Sequence, residues 1–177
     1  MKHIVTLIIP LLILVTAASA QKTAINKATI KFQLKNLGIN TGGTINGLQA
    51  TIQFAPDKLD SSTIEALLDV SSINTENDLR DKHLRSDEFF DVEKFPKITM
   101  KSMSFKHKSG DNYTGQFSLT IKDKTKVFEV PFIYTATDNT ATFKGGIKLN
   151  RLDFGIGSKS LVMSNDVSVS IEVDAAK

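Results

Sequence analysis

Apolar and polar residues alternate strictly along most of this chain. In the segment Ile30-Lys31-Phe32-Gln33-Leu34, every second side chain is apolar. Because successive side chains of a strand point to opposite faces, this pattern predicts strands with one apolar face and one face in water. Six segments show it clearly, and the apolar faces of these segments consist of Ile30, Phe32 and Leu34; Leu48, Ala50, Ile52 and Phe54; Tyr113, Gly115, Phe117, Leu119 and Ile121; Phe128, Val130, Phe132 and Tyr134; Ala141, Phe143, Gly145, Ile147 and Leu149; Val167, Val169, Ile171 and Val173.

Two further segments carry a weaker strand pattern. Residues 64–73 keep a partial alternation, whereas residues 98–105 have apolar side chains on both faces, so their inward side is not assigned. Pro131 lies inside a strand pattern and belongs at an edge or a bulge, because it has no N–H to donate. Short polar turns separate the segments and favour antiparallel neighbours. The sequence therefore predicts an all-β fold of about eight antiparallel strands, and closing them into a barrel would remove exposed edges.

Residues 75–91 interrupt the alternation. Their sequence, TENDLRDKHLRSDEFFD, is dense in charge, with acids at its start and bases further along. This order favours a short helix, and Thr75 is the candidate N-cap. We expect a short helical insertion near 75–91 that covers one end of the barrel, anchored by Phe89 and Phe90.

The N-terminus has the features of a secretory signal peptide. A basic start is followed by the apolar run 4–15 and by Ala18-Ser19-Ala20, which matches a signal peptidase site. The run is shorter than the ~20 residues that a membrane-spanning helix needs. We therefore predict a signal peptide over residues 1–20 and a single exported domain over residues 21–177. The absence of cysteine excludes disulfides and thiolate metal sites.

The insertion and the later strands carry a distinctive set of residues. They are Ser72-Ile73-Asn74-Thr75, Asn77, Arg80-Asp81, His83-Leu84, Ser86, Phe89-Phe90-Asp91, Phe95-Pro96, Leu119-Thr120-Ile121 with Thr125-Lys126, the run from Asn150 to Gly157, and the strand from Val167 to Val173. This set resembles the signature of the YceI-like family over nearly the whole mature chain. The resemblance implies an exported bacterial protein, periplasmic or secreted, whose lipocalin-like antiparallel barrel encloses a long isoprenoid or a similar amphiphile.

The inward apolar positions are the candidate ligand-binding residues. They are Phe32, Leu34, Leu48, Ile52, Phe54, Phe117, Leu119, Phe128, Val130, Phe132, Phe143, Ile147, Leu149, Val169 and Ile171. Small residues on the same faces, such as Ala50 and Gly145, leave space between the large ones. The pattern alone is equally compatible with a hollow interior and with a filled core.

Five polar residues are candidates for the mouth of such a barrel: Asn74, Arg80, Asp81, His83 and Arg151. Arg151 is in phase with the inward residues of its strand. Since buried charges are normally paired, we favour a structural ion pair of Arg151 with Asp153 or Asp81.

A carrier, buffer or scavenger of a long-chain amphiphile is the preferred functional interpretation, without catalysis, metal or cofactor. One alternative is an enzyme acting on a lipid-like substrate through His83 and nearby acids; another is an envelope stress or interaction protein without a ligand. The 22 basic and 19 acidic side chains are too balanced and scattered to predict a nucleic-acid partner. We expect no stable membrane insertion, and a homodimer is compatible with such a sheet.

Overall fold

The computed structural model describes residues 23–177, which form one curled antiparallel sheet. The predicted signal peptide lies outside these residues. Within them are nine strands: β1 (Ile25–Asn36), β2 (Ile39–Thr44), β3 (Gln49–Gln53), β4 (Thr63–Asp69), β5 (Lys97–Ser109), β6 (Asn112–Ile121), β7 (Lys124–Ala136), β8 (Thr140–Asn150) and β9 (Asp166–Ala176). Their order across the sheet is β2-β1-β9-β8-β7-β6-β5-β4-β3. One α-helix, α1 (Asp78–Arg85), lies between β4 and β5.

The two edges of the sheet meet through isolated bridges. The edge strands are β2, which pairs with β1, and β3, which pairs with β4. Because all neighbouring strands of the nine-stranded sheet are antiparallel, β2 and β3 run in the same direction. At the end of β2, Thr44 exchanges backbone hydrogen bonds with Asn74, with N···O distances of 2.8 and 3.0 Å. Ahead of β1, the Thr23 N–H donates to the Ala50 carbonyl at 2.9 Å. These bridges join both edges and leave few backbone groups unpaired.

Eight of these strands are the ones predicted from the alternation, and the antiparallel all-β fold is confirmed. The additional strand is β2, whose sequence INTGGT shows no alternation. Its glycines suggest a turn, but Gly43 instead permits a close approach of β2 to the backbone at Asn74. A Cβ there would lie 2.4 Å from the Asn74 carbonyl oxygen, so only glycine lets β2 reach the segment after β4.

A β-bulge explains why the inward face of β5 is hidden in the sequence. The register with β6 steps from Ser102–Phe117 to Ser104–Gln116, which leaves Met103 as an extra residue. Ile98 and Met100 point inward before the bulge, and Phe105 is buried after it. Because one extra residue inverts the phase of alternation, apolar side chains occur on both apparent faces.

Pro131 marks the point where β7 and β8 separate. The pairing of these strands covers Phe132 to Ala136 on β7 and stops at Pro131, which has no N–H to offer β8. In the space beyond, the ring of Phe154 stacks on Phe128, with centroids 6.2 Å apart. Phe154 follows β8 in the 3₁₀ turn Arg151–Phe154.

The expected helical insertion is present, but its N-cap is Asn77 and not Thr75. The Asn77 side-chain oxygen accepts a hydrogen bond from the Arg80 N–H at 2.9 Å. Thr75 turns inward instead, where its N–H and its hydroxyl both donate to the Asp81 carboxylate. Both residue types are good caps, and the tertiary contact with Asp81 decides between them.

The two ends of the barrel are closed differently. At the aromatic end, where β3, β5, β7 and β9 finish, the ring of Phe54 contacts five other rings at centroid distances of 4.8 to 5.6 Å: Phe105, Tyr113, Phe132, Tyr134 and Phe143. At the opposite plug end, the insertion and the β8–β9 connection cover the sheet. The side chains of Val70, Ile73 and Phe154 are almost fully buried there.

Truncation of the plug tests its contribution to stability. We expect Phe154→Ala to lower the free energy of unfolding by about 3–5 kcal/mol, because it removes a fully buried ring between β7 and β8. Met103→Ala, at an exposed residue of β5, is the control and is expected to cost less than about 0.5 kcal/mol. Chemical denaturation followed by circular dichroism measures both. Equal losses in the two variants would contradict the role of Phe154.

Candidate ligand-binding cavity

An apolar cavity of about 240 Å³ lies inside the curled sheet. Every strand except β2 contributes side chains to its wall within the described residues, and no polar atom of them faces the space. The interior is therefore hollow, which decides between the two alternatives that the sequence left open. The cavity extends along the barrel from the aromatic end to the plug end.

The structure places most of the candidate ligand-binding residues on this wall. Phe32, Leu34, Leu48, Ile52, Phe117, Leu119, Val130, Phe132, Phe143, Ile147, Leu149, Val169 and Ile171 all line the cavity. Phe54 and Phe128 do not, because Phe54 is packed into the aromatic end and Phe128 is stacked on Phe154. Alternation indicated the inward face in each case, but it did not distinguish inward residues that line the cavity from inward residues that pack against other side chains.

Several lining residues come from segments without regular alternation. Leu84, Phe89 and Phe90 belong to the insertion, and Ile156 and Met163 belong to the β8–β9 connection. The pair Phe89-Phe90 was visible in the sequence as an anchor for the insertion, whereas Met163 carried no signal. The weaker strands add Ala66, Leu68, Ile98 and Met100.

Backbone contacts hold the insertion against the β8–β9 connection. The Gly157 N–H donates to the Glu88 carbonyl at 2.9 Å, and the Lys122 ammonium donates to the Phe89 carbonyl at 2.9 Å. A Cβ at Gly157 would lie 2.9 Å from the Phe89 ring, so glycine permits this contact. Phe89 is thereby fixed on the cavity wall at the plug end.

Asn74, Arg80 and Asp81, three of the mouth candidates, organise the insertion instead of lining the cavity. The buried Asp81 carboxylate accepts from the Thr75 N–H at 2.9 Å, and the Arg80 guanidinium donates to the Thr75 hydroxyl and carbonyl oxygens. The Asn74 side chain accepts from the Glu76 N–H at 2.8 Å. These contacts stabilise the turn that leads from β4 into α1.

His83, the fourth candidate, lies on the exposed face of α1. Its Nε2 is paired with the Glu88 carboxylate, and its ring packs edge-on against Phe89 with centroids 4.8 Å apart. The imidazole does not line the cavity. In the described part of the chain, no three His, Cys, Asp or Glu side chains group closely enough to hold a metal ion.

Arg151 is buried beside the cavity, and its partners are not carboxylates. Its guanidinium donates to the carbonyls of Ile156, Ser158 and Ser164 at 2.8 to 3.0 Å and to the Asn165 side-chain oxygen at 3.2 Å. The ion pair with Asp153 or Asp81 expected from the sequence is therefore wrong. Burial lowers the pKa of Arg151 below its ordinary value, yet a guanidinium stays protonated in proteins. Backbone carbonyls and the Asn165 side chain accept from all three guanidinium nitrogens, so the β8–β9 connection folds around the charge. Arg151 is thus the one mouth candidate that lines the cavity, and it does so without exposing a polar atom to it.

No helix in residues 23–177 is long and apolar enough to cross a membrane. Among these residues, Arg151 is the one charged residue that lines the cavity, and its guanidinium nitrogens are already hydrogen-bonded. The arrangement can therefore enclose an apolar chain by burial alone.

Comparison with known proteins gives the same fold. The model of the YceI-like domain matches residues 22–175. A UPF0312 protein of Azotobacter vinelandii is 31% identical over 157 residues, covering 85% of this chain and 82% of the relative. One of Pectobacterium atrosepticum is 29% identical over 157 residues, covering 85% and 81%.

Solved structures agree. BcnA of Burkholderia cenocepacia superposes with a TM-score of 0.80 at 22% identity, covering 84% of this chain and 96% of that chain. A polyisoprenoid binding domain from Saccharophagus degradans, implicated in plant cell wall breakdown, superposes with a TM-score of 0.72 at 12% identity, covering 89% and 99%. At such identities the likeness concerns the fold alone.

Replacement of the buried arginine tests its structural role. We expect Arg151→Lys to lower the free energy of unfolding by about 3 kcal/mol, because an ammonium cannot reach all four acceptors and leaves buried carbonyls unpaired. Arg80→Lys makes the same chemical change at an exposed arginine, and its expected cost is below about 1 kcal/mol. Thermal and urea unfolding measure both variants. A loss at Arg151 no greater than that at Arg80 would contradict this role.

Proposed function

This chain belongs to the YceI-like family, and we propose that it binds a long-chain, isoprenoid-like amphiphile in its cavity and acts as a carrier, buffer or scavenger. The observation that supports the proposal most directly is the hollow, wholly apolar interior. Natural interiors of this size are normally filled by side chains. A cavity that water does not favour is suited to an apolar occupant.

The energetics favour an alkyl or isoprenoid tail. Each methylene group moved from water into such a space contributes about 0.8 kcal/mol. A stretch of ten carbons therefore contributes about 8 kcal/mol, which offsets much of the cost of association, about 4–15 kcal/mol. Longer tails gain more, up to the length of the cavity.

The shape of the cavity favours a slender occupant. Its volume lies below the ~300–1,000 Å³ typical of pockets for compact small molecules. Along β9 the lining residues run from Val167 to Val173, a distance of about 20 Å at the usual rise per residue. Ala66, a small residue in the middle of β4, lines the same space. A long, narrow space of this kind fits a single chain better than a fused-ring compound.

The related structures support the same ligand class. The Saccharophagus degradans neighbour is described as a polyisoprenoid binding domain, and it matches this chain over nearly its full length. The head group of our proposed ligand lies outside the barrel, because the wall offers it no polar partner.

A bilayer solvates such a tail as well as the cavity does. The barrel therefore does not need to bind more tightly than a membrane, only to carry the tail through water. This logic supports a carrier or buffer, and with the predicted signal peptide it leads us to propose a periplasmic or secreted location.

The enzyme alternative has no observation in its favour. His83 does not line the cavity, and it is paired with Glu88 on the exposed side of α1. General acid–base catalysis needs the proton-transfer group within hydrogen-bond reach of the substrate.

Blocking the cavity tests the proposal. Val169 lines the cavity, so Val169→Trp places a large ring inside it. Ser170→Trp places the same ring on the outer face of β9. We expect Val169→Trp to weaken binding of a polyprenol by about tenfold or more, and Ser170→Trp to leave it unchanged, because only the first ring occupies the tail's space. Titration with a polyprenol that carries its own fluorescent label measures the wild type and both variants.

A second variant blocks the cavity from another strand, and a spectroscopic control excludes misfolding. Ala66→Phe narrows the cavity from the wall formed by β4, and near-ultraviolet circular dichroism establishes that each variant is folded. If the wild-type protein binds no polyprenol or other long-chain amphiphile, the proposed function is wrong. If folded Val169→Trp and Ala66→Phe proteins bind as the wild type does, the ligand lies elsewhere.

A further inference from the structure

Four large apolar side chains are exposed together at the plug end. They are Leu37 and Ile39, each 70% exposed, Val162, which is 51% exposed, and Leu161, which is fully exposed. Leu37 lies in the β1–β2 turn and Ile39 is the first residue of β2, whereas Leu161 and Val162 belong to the β8–β9 connection. The Leu37 N–H donates to the Val162 carbonyl at 2.8 Å, so the two segments form one surface, which we call the apolar rim.

The position of Leu37 is unusual for a turn between strands. Leu37 and Gly38 have φ angles of 51° and 78°, a conformation for which Asn-Gly is the preferred sequence. A leucine with positive φ is strained, and its side chain gains no burial there in return. Folding alone does not explain a leucine at this position, whereas contact with an apolar partner does.

The apolar rim is continuous with the cavity wall. Leu34, two residues before the end of β1, lines the cavity, and so does Met163, next to Val162. Asn36 and Met163 are joined by a β-bridge. The opposite end of the barrel is closed by the rings around Phe54. The plug end is covered by loops instead of packed rings, so we infer that a tail enters there. The apolar rim lies beside the lining residues of that end.

Two exposed lysines lie in the segments that carry the apolar rim. The segments 33–45 and 155–165 contain Lys35 and Lys159, both exposed, and no acidic residue. The acids that flank the second segment are Asp153 and Asp166, which are both exposed, and Asp166 begins β9. Exposed apolar side chains next to lysines are the features of a surface that docks on an anionic bilayer.

We propose that the apolar rim is a membrane-docking surface: Leu37, Ile39, Leu161 and Val162 enter the interfacial region of a bilayer rich in anionic lipids, while Lys35 and Lys159 contact its phosphates. The occupant of the surface is a lipid bilayer. This inference rests on the proposed function, because the benefit of docking is that it places the entrance of the cavity against the lipid. A tail can then move between membrane and cavity without crossing water. Its physical test does not require any ligand in the cavity.

Flotation with vesicles measures the docking directly. We expect the wild-type protein to float with vesicles of phosphatidylcholine and phosphatidylglycerol in equal parts, and to float less with phosphatidylcholine alone. Leu161→Ser combined with Val162→Ser is expected to weaken the partition by about tenfold or more, since two apolar side chains no longer enter the interface. Met103→Ser combined with Val127→Ser removes two exposed apolar side chains of the outer sheet face and is the matched control.

A single tryptophan reports which surface contacts the lipid. Because the chain has none, Leu161→Trp and Val127→Trp each carry one reporter. We expect the emission of Leu161→Trp to shift to shorter wavelength with anionic vesicles and to be quenched by brominated lipid, while Val127→Trp shows neither change.

Each other outcome overturns the inference. Absence of flotation of the wild-type protein, or equal loss in both double-serine variants, excludes the apolar rim as a docking surface. A wild-type dimer that Leu161→Ser with Val162→Ser converts to a monomer shows that a second copy covers the rim.

The two proposals fail separately. Binding of a soluble short-chain polyprenol by the double-serine variant, measured without vesicles, remains at the wild-type level if the cavity is intact. Loss of vesicle docking with retained polyprenol binding supports the role of the rim. Failure of the wild-type protein to bind polyprenol, with docking intact, disproves the proposed function and leaves the docking surface in place.

Discussion

Backbone hydrogen bonding around one curled sheet is the constraint on which the rest of this structure depends. Each of the nine described strands pairs with its neighbours, and the bridges at Thr23 and Thr44 join the two edges. The circumference that results is set by strand number and not by side-chain volume. The inward side chains do not fill it, so an apolar cavity remains. The hollow is a consequence of the pairing.

The two ends of the barrel divide the work of closing it. At the aromatic end, rings from several strands contact Phe54 and seal the interior. At the plug end, loops cover the sheet, and loops bring backbone carbonyls that need partners. Arg151 supplies them, donating to the β8–β9 connection from within. The Arg151 side chain thus lines an apolar space without exposing a polar atom to it. The plug end, covered by loops instead of packed rings, is the end where we infer that a ligand enters.

The proposed function and the proposed docking surface both depend on apolar side chains, on the cavity wall in one case and on the rim in the other. An interior that offers only apolar contacts selects a tail by length and width and ignores its head group. Membranes are the natural source of such tails, and the apolar rim with its two lysines faces outward beside the lining residues Leu34 and Met163. Binding and docking then use one physical effect, the removal of apolar surface from water, on the two sides of one entrance.

Period-two alternation by itself determined the all-β class, eight of the strands and the inward face of most of them, because the two faces of a strand differ in every second residue. The motif residues that resemble the YceI-like family pointed to the hollow barrel. Only the tertiary structure decided the rest. It showed the bulge at Met103, which alternation hides because one extra residue inverts its phase. It also showed that Thr75 donates to Asp81 and that Arg151 donates to backbone carbonyls, because hydrogen-bond partners leave no periodic signal in the sequence. It also placed Leu37 beside Val162, because the neighbourhood of two turns depends on how the whole sheet closes.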